Sequence, residues 1–426
     1  MRRTSTTSLA LVATLALTVS ACGRSDTTED AAAATGAAVA DGKATGTITV
    51  WAMGAEGEKL PEITKEFEAA NPGAKVEVTA IPWDAAHDKF TTAITANKTP
   101  DVAMVGTTWM GEFAGMDALD PTPGEIDTSV FFDGAQKTTE VGGTSYGIPW
   151  YVETRLVYYR TDLAEKAGIT TPPTDWAGLK DMAKAMQDKA GAKYGIGLQA
   201  GGVGSWQSVM PFAWSAGADL TKDGGEAYNF DSPELLKAAQ YYQSFFTEGI
   251  ADKAAPATPT TEPDFASGKV PMFISGPWMM SAVEKAGGEG FEDKYDVMQI
   301  PADTQSSSFV GGSNLVVFKN TENRDSAWKF VQWLAEPETQ VDWYGVSTDL
   351  PSVKSAWQDP ALADDSKLAV FGKQLETAQA PPSFSTWEQV VSTFDTEMEK
   401  VTKTGADPAA ALETVQSQAE SIGTGN

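Results

Sequence analysis

The chain of 426 residues holds one cysteine, Cys22, and one histidine, His87. With Cys22 read as described below, this rules out a Ser-His-Asp triad, a Cys-His pair, a cysteine-rich zinc site and an HExxH metal motif. No GxxxxGK[ST] phosphate loop occurs, and GGVG at Gly201 to Gly204 lacks the full dinucleotide pattern. No cofactor and no metal is expected. Arginine is scarce: beyond Arg2 and Arg3, only Arg24, Arg155, Arg160 and Arg324 are present. That disfavours a phosphorylated or carboxylate ligand, which paired guanidinium groups would suit. Positive charge is short overall, with a formal net charge of −27. Such a surface repels nucleic acid and anionic lipid headgroups. The one early apolar run, Leu9 to Val19, is shorter than the ~20 apolar residues that span a bilayer.

That run follows a basic start, MRRTSTTS, and leads through Ser20 and Ala21 to Cys22. A basic head, an apolar middle and a small-residue cleavage site describe an export signal, residues 1–21. Val19-Ser20-Ala21-Cys22-Gly23 resembles the lipobox of bacterial lipoproteins. The resemblance implies a thioether from Cys22 to diacylglycerol, and membrane attachment only through that lipid. The alternative is a plain secretory signal with an accidental cysteine. Residues 22–45 are rich in Ala, Gly, Thr and Asp, contain no aromatic residue and read as a flexible tether.

The remainder is too long for one core. Thr47 to Met53 reads as a strand, and Leu60, Ile63 and Phe67 as a helix stopped by Asn71-Pro72-Gly73. Val76 and Val78 mark a second strand, Asp84 to Ala96 a helix, and Val102 to Val105 a third strand. This alternation predicts an α/β fold with a largely parallel sheet. Tyr146 to Tyr159 is a long extended stretch. Thr174 is the expected cap of a helix carrying Leu179, Met182 and Met186, and Ser232-Pro233 opens another. Val270 to Ile274 and Asn314 to Phe318 are further strands. Two α/β lobes fit this pattern.

What is abundant is tryptophan, 13 in all. Trp51 ends a strand, and Trp109 and Trp278 follow strands, near loops where open α/β sheets place ligands. Trp150, Trp206 and Trp387 lie in IPWYVE, GGVGSWQ and PPSFSTW. Flat rings beside glycine-rich turns and short polar side chains suit a sugar: the ring covers C–H faces and polar groups bond the hydroxyls. Core packing is the competing reading for every one of them. Trp328, Trp333 and Trp343 sit on or beside an amphipathic helix and are expected in the core. His87 is expected to be an ordinary, partly exposed helix residue.

The ordered set TITVWAMGAEGEKLPEITKEFEAANPGAKVEV, TPDVAMVGTTWMGEFAGMDALDPT, YGIPWYVETRLVYYRTDLAEKAGI, SGKVPMFISGPWMM, GGSNLVVF and AWKFVQWLAEPETQ resembles the family 1 extracellular solute-binding proteins, the sugar-binding lipoproteins of bacterial ABC importers. The resemblance implies a two-lobed, periplasmic-binding-protein-like α/β fold of type II, with ligand in a hinged cleft. It implies an N-lobe of residues 46–152 plus 307–355 and a C-lobe of 153–306 plus 356–426. Tyr151 and Glu153 match cleft positions; Glu153 either binds ligand or pairs with Arg155 or Arg160. Gly276 and Trp278 match a loop that offers a stacking ring, Trp206 a tryptophan of the second lobe, and Gly312-Ser313 a turn close to ligand. Trp109, Thr108 and Trp387 are further candidates, and either Glu56 or Glu58 supplies a polar contact. Gly106 stands where members that bind maltose or trehalose often carry aspartate, and TDLPS stands where relatives often carry arginine before the proline. The partners so implied are a neutral mono- or oligosaccharide and the transmembrane subunits of an ABC permease, which a monomer would serve from the outer face of the cytoplasmic membrane. ATP would be hydrolysed by a partner. Two alternatives stand beside this: a secreted glycoside hydrolase using two carboxylates, and a binding protein for a non-sugar solute.

Overall fold

In a computed structural model, residues 35–254 and 261–425 are described. The export signal, Cys22 and the tether up to residue 34 lie outside the described residues. Residues 35–44 do not behave as a tether. The Gly36 amide donates to the Thr122 carbonyl at 2.8 Å, and the Arg324 guanidinium reaches the Ala37 carbonyl at 2.7 Å. Ala44 is fully buried. Composition gave no hint of this, because small residues fit a crease as readily as they fill a linker.

The first strand, β1 (Thr45–Met53), carries Ile48, Val50 and Ala52 on its buried face. It runs into α1 (Gly54–Lys59) through Gly54 at φ +52. Pro61 then imposes a 3-10 turn over Leu60–Glu62, so the expected single helix is split and α2 covers Thr64–Ala70. Next come β2 (Gly73–Ile81), α3 (Trp83–Thr95), β3 (Val102–Gly106) and α4 (Met110–Gly115). The extended stretch divides into β4 (Ile148–Thr154) and β5 (Leu156–Arg160).

These two strands belong to different sheets. The larger has the order β9-β4-β8-β3-β1-β2, where β8 is Val310–Val317 and β9 is Leu350–Pro351. β1 pairs in parallel with β2 and β3, while β8 enters antiparallel between β3 and β4. The smaller sheet is β6-β5-β7, antiparallel, with β6 at Met272–Ser275 and β7 at Tyr295–Met298. The chain therefore changes sheet at Arg155 and again between Met298 and Val310. Both sheets lie within one unit, Ala34–Asn426.

Helices cover each sheet. α5 (Trp176–Ala190) is capped by the Asp175 carboxylate, which accepts from the Gly178 amide at 2.8 Å; the cap is not Thr174. α6 (Trp206–Ser215), α7 (Pro233–Thr247), α10 (Trp387–Thr404) and α11 (Pro408–Ile422) share a core containing Phe212, Tyr242, Phe246, Phe394 and Val415. α8 (Arg324–Leu334) and α9 (Pro337–Ser347) close the large sheet, with Trp328 and Trp343 buried beneath them. A third cluster joins Tyr158 and Phe273 of the small sheet to Phe371 and Leu375.

Candidate functional site

A cavity of about 410 Å³ opens at the end of the large sheet. The turns after β1 and β3, the last residues of β4, the first residues of β8 and the approach to β9 all meet there. Open sheets place ligands at such strand ends, where neighbouring strands connect in different directions. Of the expected residues it brings together Glu56, Thr108, Trp109, Tyr151, Glu153, Trp278 and Gly312.

The aromatic walls follow from glycines. Trp278 is 47% exposed, and a Cβ on Gly276 would stand 2.0 Å from its ring, so the indole lies directly on Gly276. Gly276 thus acts through Trp278; its own carbonyl accepts from the Tyr158 hydroxyl at 2.7 Å. The Arg155 guanidinium sits 4.6 Å from the centre of the Trp278 ring, a cation–π contact that fixes the indole. The Trp109 ring rests on Gly106 in the same way, 3.3 Å from where a Cβ would be. Trp83, 42% exposed, meets Trp109 edge-on at 6.3 Å. It is an additional lining residue that sequence reasoning missed. Its room comes from Gly54, where a Cβ would lie 2.5 Å from the indole.

The polar wall is acidic. Tyr151 donates its hydroxyl to Glu56 Oε1 at 3.0 Å and receives one from Ser313 Oγ at 3.3 Å. Burial, followed by the nearby charges of Glu56 and Asp349, raises the Tyr151 pKa well above its ordinary range, so the group is a neutral donor. Ser313 is itself fully buried and acts through Tyr151. Glu56 faces inward on α1 and Glu58 outward, because residues two apart on a helix point to opposite sides. Glu153 pairs with Arg155 (Oε2 to Nη1, 2.8 Å), the ion-pair alternative, and also lines the cavity. Gly311 leaves the space: a Cβ there would be 2.6 Å from Glu153 Oε1. Gly312, at φ +118, brings its backbone so close to Tyr151 that a Cβ would meet the carbonyl oxygen at 2.2 Å. Asp349, also unforeseen, receives the Trp343 indole N–H at 3.1 Å. Burial first, and Glu56 second, push its carboxyl up to about 7.

Two expected ring contacts are corrected. Trp387 is completely buried, stacked on Phe230 at 6.2 Å, and is core. Trp206 is 3% exposed, edge-on to Trp387 at 5.2 Å, and touches only an adjoining cavity of about 380 Å³. The helix it begins is pinned from α10: Asp395 accepts from the Gly204 and Trp206 amides and from Ser205 Oγ, at 2.7 to 2.8 Å. That neighbouring cavity shares Thr108 and Gln207 with the first. Gln207 also accepts from Arg155 Nη2 at 2.7 Å.

Residues 52–341 match the family described as bacterial extracellular solute-binding protein. The chain belongs to that family. This solute-binding protein is 29% identical to the diacetylchitobiose binding protein of Streptomyces coelicolor, over 75% of each chain. It is 23% identical to the galactooligosaccharide-binding protein of Bacillus subtilis, over 95% of itself and 93% of the relative. Among solved structures, the sugar-binding protein MalE from Xanthomonas citri matches with a TM-score of 0.83 and 31% identity, over 88% of this chain and 97% of that one. The two-lobed architecture of such neighbours is the architecture of this solute-binding protein. Among the described residues, no helix is long and apolar enough to cross a membrane.

Proposed function

We propose that this protein captures a saccharide between its lobes and presents it to an ABC permease, as a monomer held to the outer face of the cytoplasmic membrane by a lipid on Cys22. The observation that carries the reading is one cavity walled by Trp83, Trp109, Trp278 and Tyr151 and rimmed by Glu56, Glu153, Asp349 and Gln207. Rings cover the apolar faces of a sugar, and carboxylates and amides accept its hydroxyl protons. The walls come from segments on both sides of the two sheet changes. A ligand that touches both lobes favours the closed form by its preference for that form, and hinge closure is the established motion of two-lobed binding proteins. No bond of the sugar is broken. Relatives named for binding diacetylchitobiose and galactooligosaccharide support the class of ligand.

The test is a calorimetric and tryptophan-fluorescence screen over mono- and oligosaccharides. Trp278→Ala is expected to weaken the best hit by about 1–3 kcal/mol, with stacking of bases on aromatic rings as the guide. Unchanged affinity would remove Trp278 from the site. One observation favours a second reading: Asp349, its carboxyl raised to about 7 by burial and then by Glu56, resembles a glycosidase acid with a partner carboxylate. Release of shorter sugars on incubation with oligosaccharides would favour that enzyme.

A further inference from the structure

The cleft and one of the cavities that adjoin it are lined by six carboxylates, Glu56, Glu153, Asp349, Glu388, Asp395 and Glu399, and, among the described residues, by no lysine or arginine; the other adjoining cavity, which shares Gln207 and Trp278 with the cleft, is lined by Arg155 and Lys269. Three of the six are accounted for within the protein. Glu153 pairs with Arg155 at 2.8 Å, Glu399 pairs with Lys403 at 2.8 Å, and Asp395 is taken up by the amides at the start of α6. The other three have neutral hydrogen-bond donors only. Glu56 holds the Tyr151 hydroxyl, Asp349 holds the Trp343 indole N–H, and Glu388 holds the Thr108 hydroxyl. Glu56 is 8% exposed. Glu388 is exposed, but Glu56 and Asp349 are drawn back from water without an ion pair; that is costly, and a ligand that brings a cation removes the cost.

The charged groups around them do not fill this role. Lys59 lies on α1 beside Glu56 and eases Asp349, but it does not line the cavity. Arg155 is occupied by Glu153 and Gln207. The His87 ring, which also lies near Glu388, is bound to Glu112 at 2.9 Å. Trp83 and Trp109, which line the same cleft, offer faces that attract a cation as well as a sugar ring, while Trp278 already holds the Arg155 guanidinium 4.6 Å from its ring centre.

We infer that the ligand is a saccharide bearing protonated amines, with one ammonium group seated against Glu56 and Asp349 and a second, in longer ligands, directed toward Glu388. The inference rests on the saccharide reading above and replaces the uncharged ligand expected from sequence. An ammonium group donates to both carboxyl groups at once and favours the ionised form of Asp349, whereas a hydroxyl donates one proton to one of them and brings no positive charge. Asp349 would ionise on binding and release its proton near neutral pH.

Three short β-1,4-linked series differing at one substituent test this: glucosamine oligomers, their N-acetylated forms and cello-oligosaccharides. Titration calorimetry of the intact chain at about pH 6.5 is expected to show the amine series at least about tenfold tighter than the hydroxyl series. In Glu56→Gln/Asp349→Asn the gap should close to within about twofold. A readout independent of variants is the binding enthalpy of the wild-type protein in buffers of different ionisation heat. It should shift with buffer for the amine series through the Asp349 proton and stay level for the hydroxyl series. Hydroxyl forms binding as well as or better than amines would overturn the inference and leave the saccharide reading standing. So would a neutral sugar from a wider screen that binds while all three series fail and whose affinity ignores the double variant. Binding of spermidine with no saccharide bound would overturn both.

Discussion

Trp278 and Trp387 both follow glycine- or proline-marked turns and both open a helix, yet one is half exposed over a cleft and the other is sealed in a core. The difference lies in what stands opposite. Trp278 is laid flat on Gly276, with Arg155 at its ring and open cleft beyond. Trp387 faces Trp206, Tyr228 and Phe230, which leave no open side. A tryptophan becomes a binding surface when its neighbours support one face and decline to cover the rest.

Substitution should separate the two rings sharply. Trp387→Ala leaves a large cavity among α6, α10 and the Tyr228–Phe230 segment, and is expected to lower stability by about 3–5 kcal/mol in denaturant melts. Equal stability to wild type would place that ring outside the core. Trp278→Ala should do the reverse, with a change in stability within roughly 0.5 kcal/mol beside the loss of affinity already described. The contrast extends to the carboxylates, since Glu153 is ion-paired with Arg155 and Asp349 has no ion pair. With its carboxyl raised to about 7, Asp349 binds a proton in the folded protein at pH values where the unfolded chain has lost it. Its contribution is therefore full below the ordinary aspartate value and is lost as pH rises toward 7. Asp349→Asn should match wild type in acid and exceed it above neutral pH, by roughly 2 kcal/mol once partial contact with water is allowed for. A constant difference across the range would sink the assignment. The smallest effect belongs to Trp83→Ala, expected to weaken saccharide binding by about 0.5–1.5 kcal/mol with stability unchanged.

Much of the fold was legible because local rules agreed with tertiary ones. Ser232 caps the helix at Pro233, Val102 to Val105 are buried on every side, and the SGPWMM turn follows its strand as expected. The site was legible where a ring followed a strand. It was illegible where placement depended on distant partners. Trp83 reads as an ordinary first residue of a helix after Pro82; only Gly54, brought alongside by the β1–β2 pairing, gives it room. Asp349 lies just past a helix whose end is marked by Thr348 at φ +67, and nothing local announces that Trp343 and Glu56 will surround it. Strength of pattern also misled: the first segment after residue 34 has a linker's composition, but Ala37 and Gly36 meet partners at Arg324 and Thr122.

The position of β8 has a consequence for biogenesis. Its slot between β3 and β4 stays vacant while the ribosome works from Thr154 to Val310, with hydrogen-bonding edges bare on both flanking strands. A nascent chain therefore cannot complete its larger sheet early, and the closing of so long a loop delays collapse. That latency would suit a polypeptide that crosses a membrane unfolded and matures on the far side.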